Sequence, residues 1–165
     1  SDVARQTGAD IPVCLASRAC TMTGVGENLA FLSLPSLPCV MVNPRIAVAT
    51  KDVFAALGLA KGEALSGKSH SRKDSWPAGN SSADEWCEAI AAGTNDLEPP
   101  ALKVEPRIGD VLAALRGSPG IRFARMSGSG ATCFGIFRTP DDAGEAAKAI
   151  SQAHPGWWVH AGALS

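Results

Sequence analysis

Several features that mark common classes of protein are missing from this 165-residue sequence. Histidine occurs three times and cysteine five times, and their positions show neither C-x-x-C nor another spacing typical of zinc sites. We therefore expect no bound metal. The net charge is −1, which gives no electrostatic reason to bind nucleic acid or an anionic membrane.

Long apolar runs are also absent. No stretch approaches the roughly 20 residues that span a bilayer, and residues 1–10 lack the apolar centre of a signal peptide. The odd number and wide spacing of the cysteines indicate reduced, buried thiols. These absences together predict a cytoplasmic protein with no membrane segment. Hydrophobic residues make up 45% of the chain, which is enough to bury the core of one domain and part of another.

The first part of the sequence predicts strands after the end of a helix. Residues 1–8 are typical of the last turns of a helix, and the apolar run at 11–16 (IPVCLA) is typical of a strand. Residues 19–24 and 28–34 predict a strand pair around a glycine turn. Because helices seldom begin a domain, we expect a C-terminal part of a larger protein, with 1–35 a remnant of its N-terminal lobe.

The rest of the sequence, 36–165, predicts a second lobe of α+β class. Its order is β-α, two further helices, then β-β-α-β, which is a ferredoxin-like split βαβ unit with extra helices covering one face of an antiparallel sheet. Pro35 and Pro38 mark the boundary between the lobes. The expected elements are a strand at 39–42, a helix capped by Thr50, helices at 83–92 and 106–117, strands at 121–126 and 131–137, a helix from Thr139 to about Ala153, and a strand at 157–161.

Residues 62–69 (GEALSGKS) match the P-loop pattern G-x-x-x-x-G-K-[ST]. In a P-loop, a buried strand precedes the glycines and a helix begins at the lysine. Here a helix precedes the segment, and a polar stretch without apolar periodicity follows it. We interpret the match as a coincidence within a polar loop at 60–82.

A better candidate for a phosphate site is the turn within RMSGSGATCF (125–134). Gly128 and Gly130 allow backbone angles and a close approach that other residues forbid. Consecutive N–H groups in such a turn can bind an anion. An ordinary hairpin that uses glycine for its turn explains the same residues equally well.

Asp10, within TGADIPVCL (7–15), is the second candidate. It lies between Gly8 and Pro12, where a helix is expected to end and an apolar strand to begin. A carboxylate on such a rigid turn can act as a base for, or orient, a substrate hydroxyl. The commoner alternative is an aspartate that accepts hydrogen bonds from the N–H groups of its own turn.

Taken together, GADIPVCL, GVGENL, VNPRIAVATKDVFAAL, NDLEPPA and RMSGSGATCFGIF resemble the C-terminal half of a GHMP kinase, over nearly the whole chain. The resemblance implies a ferredoxin-like C-terminal lobe and phosphoryl transfer from ATP, with Mg²⁺, to an alcohol of a small molecule. Within the family, the motifs favour the kinases that phosphorylate the 2-hydroxyl of a cytidine diphosphate-linked methylerythritol in non-mevalonate isoprenoid biosynthesis. A homoserine or mevalonate type of kinase and a non-catalytic ferredoxin-like ligand-binding module remain alternatives.

The resemblance also implies roles for individual residues. Asp10 stands where the family has its catalytic aspartate, which receives or orients the proton of the substrate hydroxyl. The motif that packs against the nucleotide phosphate loop and helps to shape the site is matched by Ser127, Gly128, Ser129 and Gly130.

Other parts of the family pattern carry less chemistry or have no counterpart. Thr50 and residues 95–97 match family positions with a structural role. The glycine- and serine-rich ATP loop and the N-terminal catalytic lysine of the family are not found in these 165 residues. We therefore expect the isolated chain to be inactive.

Overall fold

The structure is a computed structural model of the chain, and it describes residues 11–24, 28–58 and 76–165. Three predictions fall outside these ranges: the helix end before Gly8, the candidate base Asp10, and the P-loop-like segment at 62–69. No helix of the described ranges is long and apolar enough to cross a membrane.

The described ranges contain six helices and six strands. The helices are α1 (Ile11–Ala16), α2 (Thr50–Leu57), α3 (Ala83–Ala91), α4 (Glu98–Val104), α5 (Arg107–Arg116) and α6 (Pro140–Ala153). The strands are β1 (Cys20–Thr23), β2 (Asn28–Phe31), β3 (Leu37–Asn43), β4 (Ile121–Met126), β5 (Cys133–Phe137) and β6 (Trp158–Leu164).

The described strands form two sheets, and the larger one confirms the predicted α+β topology. β1 and β2 pair as an antiparallel ribbon, as the sequence predicted for residues 19–24 and 28–34. The other four strands form an antiparallel sheet in the order β4-β5-β3-β6. Since β3 and β4 both run antiparallel to β5, they are parallel to each other with β5 between them. This is the split βαβ arrangement of a ferredoxin-like fold.

The four-stranded sheet has a different cover on each face. α5 and α6 pack on one face, where inward side chains of the strands, such as Val40 and Val42 of β3, join the main core. Leu37 and Cys39 alternate with these and point to the opposite face, where they pack with Cys87 of α3. This alternation follows the two-residue period of a strand, and it places helices on both faces rather than on one as predicted.

The apolar face predicted for α5 is confirmed. Ile108, Val111, Leu112 and Leu115 lie at i, i+3, i+4 and i+7, and each is at most 1% exposed. The predicted start of α6 is also confirmed, because the Thr139 hydroxyl accepts a hydrogen bond from the N–H of Asp142 and Pro140 occupies the first turn.

The strand predicted at 11–16 is wrong, since these residues form α1. A six-residue apolar run cannot by itself distinguish a strand from a short helix. Pro12 is compatible with the observed helix because the N–H groups of a first helical turn have no partner within the helix. A proline at this position therefore removes no helical hydrogen bond.

One helix was missed, and the strand boundaries moved. Pro99 and Pro100 lie in the first turn of α4. The sequence analysis did not assign a helix here, although proline is common in a first helical turn. Three helices rather than two are therefore found between α2 and β4 in the part of the chain that the structure describes. Pro38 lies inside β3, where it pairs with Ala163, instead of between two lobes. The division into 1–35 and 36–165 stays a prediction.

The cysteines are free thiols, but they are not all buried. Cys39, Cys87 and Cys133 are buried, whereas Cys14 is exposed and Cys20 is half-buried. Burial raises the pKa of the Cys133 thiol to about 12 and also raises the pKa values of Cys39 and Cys87. The prediction of buried thiols thus holds for three of the five.

Candidate functional site

The glycine turn joins β4 to β5. The N–H of Ser127 donates to the carbonyl of Thr132 over 2.9 Å, and the N–H of Gly130 donates to the carbonyl of Ser127 over 3.1 Å. Gly128 has φ 56° and Gly130 has φ 89°, both in the left-handed region that favours glycine. The turn therefore has the special backbone that its sequence predicts.

Glycine is required at the two positions for different reasons. A Cβ atom on Gly128 would meet no atom within 4 Å, so only its backbone angle demands glycine there. A Cβ atom on Gly130 would lie 2.9 Å from Sδ of Met126 and 3.2 Å from Cδ1 of Ile108. Gly130 is thus fixed by both its backbone angle and the close packing beneath it.

The N–H groups of the turn differ in the hydrogen bonds that they make. Within the described residues, the N–H groups of Gly128 and Ser129 donate no hydrogen bond, whereas those of Ser127 and Gly130 are used inside the turn. Gly128 is exposed and Ser129 is half-buried. An anion that approaches the turn can therefore accept hydrogen bonds from the N–H groups of Gly128 and Ser129 but not from that of Gly130. This makes a smaller anion-binding site than three consecutive free N–H groups would form.

Two side chains from preceding elements hold the second half of the turn. The hydroxyls of Thr50 and Ser129 are 2.9 Å apart, and Nδ2 of Asn43 donates to Oγ1 of Thr132 over 2.8 Å. The predicted cap at Thr50 is wrong, because Ala49 occupies the N-cap position and no side chain caps α2. The Thr50 hydroxyl contacts the turn instead, which agrees with the structural role that the resemblance implies.

The loop after β3 contributes a feature that the sequence analysis missed. Oδ1 of Asn43 accepts a hydrogen bond of 2.7 Å from the N–H of Arg45, whose φ is 56°. The Asn-Pro pair that starts this loop is a turn signal and could have indicated it. Asn43 therefore connects the end of β3 both to its own loop and to the glycine turn.

The segment between α3 and β4 holds the first half of the turn. Nδ2 of Asn95 donates to the carbonyls of Met126 and Gly128, over 2.9 and 2.8 Å. Glu98, which the sequence analysis did not single out, accepts a hydrogen bond from the N–H of Met126 over 2.9 Å and pairs with Arg116 at 3.3 Å. Residues distant in sequence thus converge on one turn.

The two candidate sites predicted from the sequence cannot be placed relative to each other, since Asp10 lies outside the described residues. Among the residues that are described, no group of three or more His, Cys, Asp or Glu could hold a metal ion. The glycine turn and its four supporting side chains are therefore the part of the candidate site whose geometry is known. These side chains are Asn43, Thr50, Asn95 and Glu98.

Known proteins resemble this chain in sequence. The family model described as GHMP kinases C terminal matches residues 78–156. A 4-diphosphocytidyl-2-C-methyl-D-erythritol kinase of Rhodopseudomonas palustris (strain BisB5) is 61% identical over 165 residues. One of Bradyrhizobium sp. (strain ORS 278) is 62% identical over 164 residues. Each alignment covers 99% of this chain, which spans 56% and 55% of the two relatives.

Two solved structures resemble this chain in fold. A crystal structure of 4-(cytidine 5'-diphospho)-2C-methyl-D-erythritol kinase matches 98% of this chain and 55% of that protein, with a TM-score of 0.69 and 32% identity. Homoserine kinase from Cytophaga hutchinsonii ATCC 33406 matches 83% of this chain and 45% of its own, with a TM-score of 0.55 and 21% identity, and shows the fold alone. Residues 78–156 of this chain are a C-terminal domain of the GHMP kinase family.

Proposed function

We propose that the full-length gene product transfers the γ-phosphoryl group of ATP to the 2-hydroxyl of 4-diphosphocytidyl-2-C-methyl-D-erythritol. The observation that carries this proposal is the 58–62% identity, over 99% of the chain, to curated kinases that bear that substrate's name. Homoserine is a weaker candidate substrate, because the homoserine kinase neighbour is only 21% identical.

The proposed role of the glycine turn is to support the phosphates of ATP. Phosphoryl transfer depends on positioning and on stabilising the charge of the transferred group. The N–H groups of Gly128 and Ser129, which have no partner among the described residues, can meet a phosphate oxygen or brace a loop that does so. Ser127 and Gly130 close the turn and fix the direction of these donors.

Asp10 is proposed as the group that receives or orients the proton of the substrate hydroxyl. This proposal is supported by the motif GADIP at 8–12, which matches the family's catalytic aspartate motif. A carboxylate that accepts the hydroxyl proton during attack raises the nucleophilicity of the oxygen.

ATP is proposed to enter with Mg²⁺, which neutralises phosphate charge in enzymes of this chemistry. The described residues offer no set of carboxylates or imidazoles that fits a protein-bound ion, so we assign no step to a metal ligand of this chain. The proposed location is the cytoplasm, where ATP and a nucleotide-linked intermediate are available, and the proposed context is isoprenoid precursor biosynthesis.

The test is a kinase assay on the purified full-length gene product. ATP consumption is followed by coupled detection of ADP, with the cytidyl-methylerythritol substrate, homoserine or mevalonate as acceptor. The product is examined by mass spectrometry and phosphorus NMR. We expect ADP release and a new phosphate ester on the 2-hydroxyl with the first acceptor alone. ADP release with homoserine or mevalonate, and none with the cytidyl substrate, would refute the proposal.

A further inference from the structure

Asn95 uses both donors of its side-chain amide at the glycine turn. Its Nδ2 donates to the carbonyls of Met126 and Gly128, and its Oδ1 accepts a hydrogen bond of 3.0 Å from the N–H of Leu97. A primary amide has two donors and one carbonyl acceptor, so each group is occupied. The geometry requires an NH₂ group facing the two carbonyls of the turn and an oxygen facing the N–H of Leu97.

The bond to the Gly128 carbonyl sets the direction of the next N–H group. The carbonyl of Gly128 and the N–H of Ser129 belong to one peptide unit, and in a trans peptide these two groups point in opposite directions. The carbonyl points to Asn95, so the N–H of Ser129 points away from it. This N–H makes no hydrogen bond within the described residues.

The bond to the Met126 carbonyl anchors Asn95 at the base of the same turn. The N–H in that peptide unit belongs to Ser127, and it donates across the hairpin to Thr132 over 2.9 Å. Asn95 thus contacts the last residue of β4 and the exposed tip of the turn at once. A rotation of the Gly128–Ser129 peptide unit would break the hydrogen bond from Asn95 to the Gly128 carbonyl. The same rotation would turn the N–H of Ser129 away from its present direction.

We propose that Asn95 is a positioning residue that orients the Ser129 N–H toward a phosphate group of ATP. The inference rests on the proposed kinase function and gives a task to a residue whose family position suggested only a structural role. Asn95 acts through the turn and does not itself touch the nucleotide.

Asn95→Asp is the sharpest test, because it replaces the NH₂ group by an oxygen of nearly equal size. At neutral pH a carboxylate would then face two carbonyl oxygens and repel both. Asn95→Ala removes the amide without adding charge. Asp96→Asn is the matched control, since it makes the reverse exchange on the next residue, whose exposed side chain hydrogen-bonds Thr94.

The experiment uses the full-length gene product and MgATP as the probe. ATP affinity is measured by calorimetry without the second substrate, and KM values for both substrates are measured below the unfolding transition. For Asn95→Asp and Asn95→Ala we expect ATP affinity to fall about 10-fold or more. The KM for the cytidyl substrate should stay within about twofold, as should all constants of Asp96→Asn.

The pH dependence separates orientation from a general loss of structure. As the pH falls and the introduced carboxyl gains a proton, it regains one donor for the turn. The ATP affinity of Asn95→Asp relative to wild type should therefore rise, while that of Asn95→Ala relative to wild type stays constant.

Two results would overturn the inference: unchanged ATP affinity in both variants, or equal losses for ATP and the cytidyl substrate that follow the folded fraction. A wild-type protein that binds ATP without phosphorylating the cytidyl substrate would refute the proposed function. In that case a selective loss of ATP affinity in the variants would still support the role of Asn95.

Discussion

Gly130→Ala should destabilise the protein more than Gly128→Ala, although both residues have left-handed backbones. A left-handed angle costs a residue with a Cβ atom about 1–2 kcal/mol, and this cost applies at both positions. At Gly130 the new methyl group would also lie 2.9 Å from Sδ of Met126 and 3.2 Å from Cδ1 of Ile108. Overpacking of this kind costs about 1–3 kcal/mol. The expected totals are about 2–5 kcal/mol for Gly130→Ala and about 1–2 kcal/mol for Gly128→Ala.

Thermal unfolding of the full-length gene product, followed by circular dichroism, measures the difference. At about 2–4 °C per kcal/mol, Gly128→Ala should lower Tm by about 2–8 °C and Gly130→Ala by about 4–20 °C. Ile108→Val removes the Cδ1 atom that the new methyl group would meet, so it should cost less in the Gly130→Ala background than in wild type. Equal Tm losses for the two alanine variants, or no coupling with Ile108→Val, would refute the packing argument.

The remaining predictions concern catalysis, pH and thiol reactivity. Asp10→Asn should lower turnover by about 10²–10⁴-fold with little change in KM, and a folded variant with full turnover would exclude a general base there. Hydrogen bonds from Arg107 lower the pKa of the Glu105 carboxyl to about 2, so NMR titration should show this carboxyl ionised until strong acid, and Arg107→Gln should return its pKa toward the ordinary value. Any contribution of the Glu105–Arg107 ion pair to the free energy of unfolding is present above the ordinary pKa of 4.5 and is lost as the pH falls through about 2. A thiol reagent at about pH 8 should label exposed Cys14 in the native protein and Cys133 only after unfolding.

The parts of the fold that could be predicted are those with a complete local signal. α5 has four apolar residues at helical spacing, and α6 has a Thr-Pro start, so tertiary contacts reinforce what the local sequence already favours. The sheet topology followed from the order of elements, because few arrangements accept a β-α-β-β-α-β chain.

The errors occurred where local signals were weak or conflicted. Six apolar residues at 11–16 suit either a strand or a helix, and the period of so short a run does not distinguish the two. Two consecutive prolines concealed α4, since proline suggests a break everywhere except in a first helical turn. Pro38 is tolerated within β3 because pairing with β5 begins only at Cys39, so Pro38 is paired with β6 alone.

The candidate site was predicted in part. The left-handed angles of the turn follow from its glycines, and these were expected from the sequence. The supporting contacts were not, because Thr50 and Ser129 are 79 residues apart and Asn43 and Thr132 are 89 apart. No periodicity connects residues at such distances, so only the folded chain shows that they meet.

The central position of β3 determines the order in which this sheet can be assembled. β4 and β5 are adjacent in sequence, so closing their six-residue connection costs about 1.6 kcal/mol of chain entropy beyond a constant term. β3 joins β5 only by closing a loop of about 90 residues, which costs about 4 kcal/mol on the same scale. We therefore expect the hairpin that contains the glycine turn to form before β3 pairs with β5. Until β3 is in place, one edge of β5 is unpaired and β6 has no strand to pair with, and an unpaired strand edge can pair with another chain and lead to aggregation.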